Sequence, residues 1–135
     1  MADKINFEMA TAEFERFAET MCIDIDVSRM KDEDREDFEG YKKTVVDAIC
    51  RGSLVINDRG EPVYTPQRSE NNSPLVFKEL TGANLAAGDK LGKGREHSKL
   101  FETMGSMTET HAGRFSKMVM SDLKVCQAII VLFLA

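Results

Sequence analysis

The carboxy-terminal segment over residues 123–134 becomes apolar on nearly every side once Lys124 and Gln127 are passed. A helix of that kind has no side suited to water and must be covered on most faces, so it constrains the fold more than any other part of the chain. The apolar run, residues 125–135 interrupted by Gln127, is about half of the roughly 20 residues that a helix needs to cross a bilayer, and it is not a membrane span. Ser121 followed by Asp122 supplies a cap and places the helix over residues 123–134. Two kinds of cover are open to it. The rest of the chain can enclose it as a helix under a sheet, or one side can pack inward while a partner or a second copy covers another.

The remainder of the chain offers elements that could supply that cover. Residues 6–20 place Phe7, Ala10, Phe14, Phe17, Ala18 and Met21 at spacings of three and four, with Glu8, Glu13, Glu15 and Glu19 outside, which predicts an amphipathic helix. Ile23, Asp24, Ile25, Asp26 and Val27 alternate apolar and acidic residues, the pattern of a short extended segment with one edge packed and the other wet. Asp32, Glu33 and Asp34 open a second helix, because acidic side chains suit the positive end of the helix dipole. Its apolar face is Phe38, Tyr41, Val45, Ala48 and Ile49, and Gly52 is the natural stop. The first half of this helix is acidic enough to stand off the body.

Residues 53–64 carry the clearest β signal: two β-rich runs flank a turn of Asn57, Asp58, Arg59 and Gly60, in which Gly60 takes positive φ. Pro62 has no amide hydrogen to donate, so its strand is expected at an edge or paired only on its other side. Residues 65–73 are polar and rich in breakers and predict a loop. Residues 75–80 read as a strand ending at Thr81 and Gly82, residues 84–91 as a short helix or turn, and the glycine-rich residues 88–95 as a mobile loop. The helical pattern returns from Glu96 through His97, Leu100, Phe101 and Met104 to a stop near Gly105, after which Thr108 caps a helix through Met118. The fold class is therefore α+β, a small β-hairpin or sheet with helices and a helical carboxy-terminal half. Residues 1–65 form a helical pair plus hairpin, 66–74 a linking loop, and 75–135 a strand plus helical module, the whole making one compact domain.

Charge and cysteine usage exclude several classes of function. The 18 Lys+Arg against 23 Asp+Glu give a formal net charge of −5 and no electropositive face by count, so the chain is not expected to bind nucleic acid. Cys22, Cys50 and Cys126 are odd in number, widely spaced and set in apolar or helical contexts, which predicts reduced, buried thiols rather than disulfides or a zinc cage. Met1 to Glu8 contain no basic segment leading into an apolar one, so a secretory signal is not expected. Eight Phe, eight Met and no Trp describe a core built from flexible and aromatic fillers.

Motifs that carry chemistry fail on spacing. A phosphate-binding loop of the Walker A type needs four residues between its first Gly and the Gly-Lys pair, whereas Gly88 and Gly92 enclose three and Gly94 follows Lys93. Asp24, Asp26, Ser28 and Asp32 fall at ligand positions of a calcium loop, but its sixth position is Arg29 instead of Gly and its twelfth is Arg35 instead of Glu. His97 and His111 have no Cys, His or paired carboxylate at ligand spacing. A Cys-His or Ser-His pair formed only in the fold stays open, though nothing local favours one. The expectation is a chain with no catalytic, cofactor-binding or metal-binding residues, and not an enzyme.

Residues 75–85, running from Leu75 and Val76 through Thr81, Gly82, Ala83 and Asn84 to Leu85, resemble the strand-then-turn of the small tail assembly chaperones of Mu-like contractile-tailed bacteriophages. In that family a strand runs into a short Pro-Thr-Gly-Ala-Asp-Leu motif; Leu80 and Asn84 stand here where proline and aspartate are usual. Met107, Thr108 and Glu109 opening a helix, then Met120, Ser121, Asp122 and Leu123 leading to a helix that closes on Phe133 and Leu134, extend the resemblance through the carboxy-terminal half. It implies a host-cytoplasmic chaperone that binds the tape-measure protein and keeps it soluble until the tail tube assembles. A structural tail or baseplate protein, retained in the virion and holding its neighbours through the terminal helix, is the alternative. An acidic body carrying one strongly apolar helix suits either role. The expected packing or contact residues are Leu123, Cys126, Ile130 and Phe133, with Thr81, Gly82 and Leu85 shaping the turn beside them. A homo-oligomer is expected in so far as the last helix needs cover.

Overall fold

A computed structural model describes residues 4–89 and 94–134. Asn6 caps the first helix, α1 (Phe7–Thr20), by accepting from the Met9 amide at 2.8 Å, and the helix turns Phe14, Phe17, Ala10 and Ala18 inward. Phe7 lies at the very start of α1 and is exposed, contrary to its expected place on the apolar face, because no element reaches over that first turn. Residues 23–27 behave as their alternation predicts: Ile23 is buried, Ile25 and Val27 are half-buried, and Asp24 and Asp26 face water. A 3-10 turn (Val27–Arg29) then leads into α2 (Asp32–Arg51), which carries Asp32, Glu33 and Asp34 in its first turn and ends on Gly52 at φ 82°.

Leu54–Ile56 (β1), Pro62–Tyr64 (β2) and Leu75–Val76 (β3) form an antiparallel sheet in the order β1-β2-β3. Gly60 takes φ +76°, and the Asn57 side chain accepts from the Arg59 and Glu61 amides, so the expected turn is locked from both sides. The strand containing Pro62 is central and not at an edge. Pro62 is its first residue and lies opposite Ile56 in the register with β1. On that side the Asn57 and Thr65 amides extend the ladder beyond its two ends, and toward β3 the Pro62 carbonyl accepts from Phe77 at 2.8 Å. The missing donor therefore costs one bond at the end of the sheet, where a proline is tolerated. β3 covers two residues of the expected six, since the chain leaves the sheet after Phe77 has buried its ring.

Four more helices complete the chain: α3 (Gly82–Asp89), α4 (Glu96–Met107), α5 (Ala112–Ser116) and α6 (Met120–Leu134). Of the expected mobile loop, residues 88 and 89 belong instead to the end of α3, where Gly88 is buried against α4, and residues 90–93 lie outside the described residues. Thr108 does not open a helix. It closes α4, donating its hydroxyl to the Met104 carbonyl at 2.7 Å, and the helix expected up to Met118 shrinks to the single turn α5. Phe14, Phe17, Leu54, Leu75, Phe77, Met104, Met107, Phe115 and Ile129 meet in one continuous core, so the sheet and both helical halves share it. The observed class is the expected α+β, with a three-stranded antiparallel sheet and a helical carboxy-terminal half. Among the described residues no helix is long and apolar enough to cross a membrane.

Candidate functional site

The terminal helix finds most of its cover within its own chain. α6 packs along α2, and Leu123, Cys126 and Ile130 are buried, so these three expected contact residues hold the core together and present nothing to a partner. Phe133 is half-buried and meets Phe17 edge-on at 5.3 Å between ring centres. Thr81, Gly82 and Leu85 are exposed, and α3 packs chiefly on α4 while α6 packs chiefly on α2, so the turn residues and the buried residues of α6 do not form one surface. Thr81 instead fixes the start of α3: its amide and hydroxyl both donate to the Asn84 side chain, which in turn donates to Ser106 on α4. Most of α6 is covered within the chain, while Met120 and Leu134 at its two ends are exposed.

What the packing of α6 on α2 leaves open is a groove along their seam. One hollow, of about 500 Å³, is lined by Met30, Asp34, Asp37, Phe38, Tyr41, Val131 and Leu132. A second, of about 580 Å³, shares Asp37 and Tyr41 and continues past Glu36, Gly40 and Thr44 to Lys124, Gln127 and Ala128. Tyr41 was expected in the core face of α2; it is 37% exposed and stands where the two hollows meet. Gly40 adds a flat place beside it, since a Cβ there would meet nothing within 4 Å. The first hollow is mainly apolar and includes a flexible methionine, with Asp34 and Asp37 at its rim, while the second is lined mainly by polar residues and sets Lys124 opposite Glu36 and Asp37. Such a groove can accept apolar side chains spaced three or four apart on a helix whose flanks carry Lys or Arg. The acidic first half of α2 thus stays joined to the body through Phe38, which is buried, and presents its charge at the rim of the seam.

Asp122 was expected to assist in capping α6. It is instead buried in the first turn of that helix and anchors the loop over residues 66–74. Its Oδ1 accepts from the Tyr64 hydroxyl at 2.7 Å and the Gln67 amide at 2.8 Å; its Oδ2 accepts from the Arg68 and Ser69 amides and the Ser69 hydroxyl. Burial alone would push this carboxyl up, but the bonds from Gln67, Ser69, Tyr64 and Arg68 prevail and hold it down at about 2. Burial and the bond to Asp122 push the Tyr64 phenol up in turn. The site is a structural staple: every oxygen lone pair near the loop is already used.

The cysteines divide by position. Cys126 is buried, and burial followed by the nearby Asp122 charge pushes its thiol up; Cys50 is half-buried, and Cys22 is exposed, contrary to the expectation that all three are buried. Cys22 lies outside the core because it ends α1 at φ 56°, a turn conformation that sends the side chain outward. Among the described residues no three His, Cys, Asp or Glu side chains are grouped so as to hold a metal ion.

Sequence reasoning did not find the groove, because Met30, Asp37, Tyr41 and Val131 converge only when α2 and α6 meet. Asp122 had a legible signal. It precedes Cys126 by four positions and so shares the inward face of an apolar helix, where a carboxylate has to be satisfied by the fold. Comparison with models of protein families, with curated proteins and with solved structures finds no match to this chain.

Proposed function

We propose that the chain is a bacteriophage tail assembly chaperone whose α2–α6 groove holds an apolar helical segment of the tape-measure protein, keeping it soluble in the host cytoplasm. The observation that carries this reading is the groove itself: apolar walls from Met30, Phe38, Tyr41 and Val131 under an acidic rim of Asp34 and Asp37. The resemblance of residues 75–85 and of the terminal helix to the small tail chaperones supports it from the sequence side. A holding protein requires a surface that shelters apolar side chains and a body whose charge opposes aggregation, and a net charge of −5, with the first half of the rim helix strongly acidic, serves the second need. On this reading the protein performs no chemistry and takes no cofactor.

The test is a pull-down from cells assembling tails, with the intact chain and with Tyr41→Glu as baits, alongside mass spectrometry of purified particles. Tyr41 is exposed, so its replacement leaves the core untouched and places a charge in the middle of the groove. Recovery of the tape measure by the intact chain, its loss with Tyr41→Glu, and absence of the chain from finished particles are the expected results. Presence in particles at fixed copy number would replace the chaperone by a structural tail or baseplate protein, and failure to recover the tape measure at all would sink the reading.

A further inference from the structure

Arg114 in α5 is 9% exposed, yet among the described residues no carboxylate lies within ion-pair distance of it. Its Nη2 donates to the Ser73 carbonyl, and its Nε is buried with no acceptor among the described residues. A buried cation is ordinarily paired, because it has lost its hydration and only a counter-charge or a full set of acceptors replaces that. Burial pushes this guanidinium below the ordinary arginine range, as expected where no anion offsets it.

Arg114 lines a cleft of about 550 Å³ between residues 69–71 and α5, which Lys117 and His111 also line. Lys117 and His111 are exposed and make no ion pair among the described residues. Glu70 is the one acidic residue of the lining. Two cations against one anion suit a single oxyanion and not a polyanion such as nucleic acid. We propose that this cleft binds an oxyanion, a carboxylate or phosphate group, which acts as the counter-charge of Arg114 and is held at its outer side by Lys117 and His111. A guanidinium presents a planar fork of donors matched to such a group, and charge-assisted hydrogen bonds are the strongest available to it. The site stands apart from the α2–α6 groove in its residues and in its chemistry, and it does not depend on the chaperone reading.

The test uses the full chain, labelled with 15N, titrated separately with inorganic phosphate and with acetate against sodium chloride at matched ionic strength. The expected result is a saturable shift of the Arg114 Nε–H signal and of the Gly113 and Lys117 amides, beyond any change caused by chloride. Lys117→Glu reverses a charge at an exposed position, keeps the fold, and is expected to weaken the binding about tenfold or more. Saturation by phosphate alone assigns a phosphate-bearing ligand, and saturation by acetate, with or without phosphate, admits the carboxylate of an acidic peptide. The proposal is overturned if both anions act no differently from chloride, or if Lys117→Glu binds them as well as the parent chain does.

Discussion

Asp122 concentrates more of the tertiary structure than any other side chain, since one carboxylate joins the sheet through Tyr64, the loop through residues 67–69 and the start of α6. Replacing it by Asn keeps the shape but removes the charge and forces an amide N–H against donors, and the expected loss is about 2–4 kcal/mol in denaturant unfolding at neutral pH. Tyr64→Phe deletes one donor of the five and should cost about 1.5 kcal/mol. The pH dependence has a definite sign. The folded carboxyl sits at about 2, below its ordinary 3.8, so its contribution is present in full above pH 3.8 and is lost as the pH falls toward 2. The stability gap between the parent chain and Asp122→Asn should therefore narrow by about 2 kcal/mol over that window and stay constant above it; a gap that does not change would deny the carboxylate its charged role. Cysteine reactivity is ordered by position: a thiol reagent should modify Cys22 first in the folded chain and reach Cys126 only as fast as the chain unfolds. Composition already gave the thiols as unpaired, but whether a cysteine faces in or out depends on a single backbone angle at the end of α1.

Helices α1 and α2 and the β1–β2 turn were legible because periodicity, a terminal cap or a glycine at positive φ acts within a few residues. The elements misread are those whose local signal has two meanings. Thr108 reads equally well as the start of a helix or as its last turn, and its bond back to the Met104 carbonyl selects the second. Gly105 reads as a stop, yet α4 runs through it to Met107, because a Cβ there would come within 2.9 Å of the His111 and Ala112 backbone. Its smallness serves the close approach of the following turn. The glycines consequently separate into opposite classes of mutant. Gly60→Ala should cost about 2–4 kcal/mol, since its φ of +76° disfavours a side chain and the new Cβ would meet Thr20 at 2.6 Å. Gly40→Ala lies in the open interior of α2 and should instead stabilise the chain by about 0.5–1 kcal/mol. Unfolding midpoints of the two variants in urea check both signs, and a destabilised Gly40→Ala would mean that the exposed side of α2 is packed in solution.

At the scale of the whole molecule the decisive question is whether residues 66–74 separate two modules or sit within one. Their composition suggested a link between an amino-terminal part and a helical carboxy-terminal one, and composition cannot reveal that the link is held near both of its ends. Asp122 holds residues 67–69, Arg114 holds Ser73, and α6 finds its main cover on α2, far earlier in the chain. The apolar helix that most constrained the sequence is thus enclosed by residues on the other side of the supposed boundary. A fragment of residues 75–135 would keep Ile129, Ile130 and Leu132 but lose the helix that buries them. It should therefore be molten or associated, with poor dispersion in its amide spectrum and a concentration-dependent size in gel filtration. The intact chain should unfold in one transition, with helix content and tyrosine fluorescence changing together, because both report on a single shared core. A monomeric, well-dispersed fragment, or two separated transitions, would show that the halves fold independently and that the resemblance confined to the carboxy-terminal half describes a module in its own right. The coincident transition would make the groove a property of the full chain alone, since its two walls come from the two halves that the boundary would have divided.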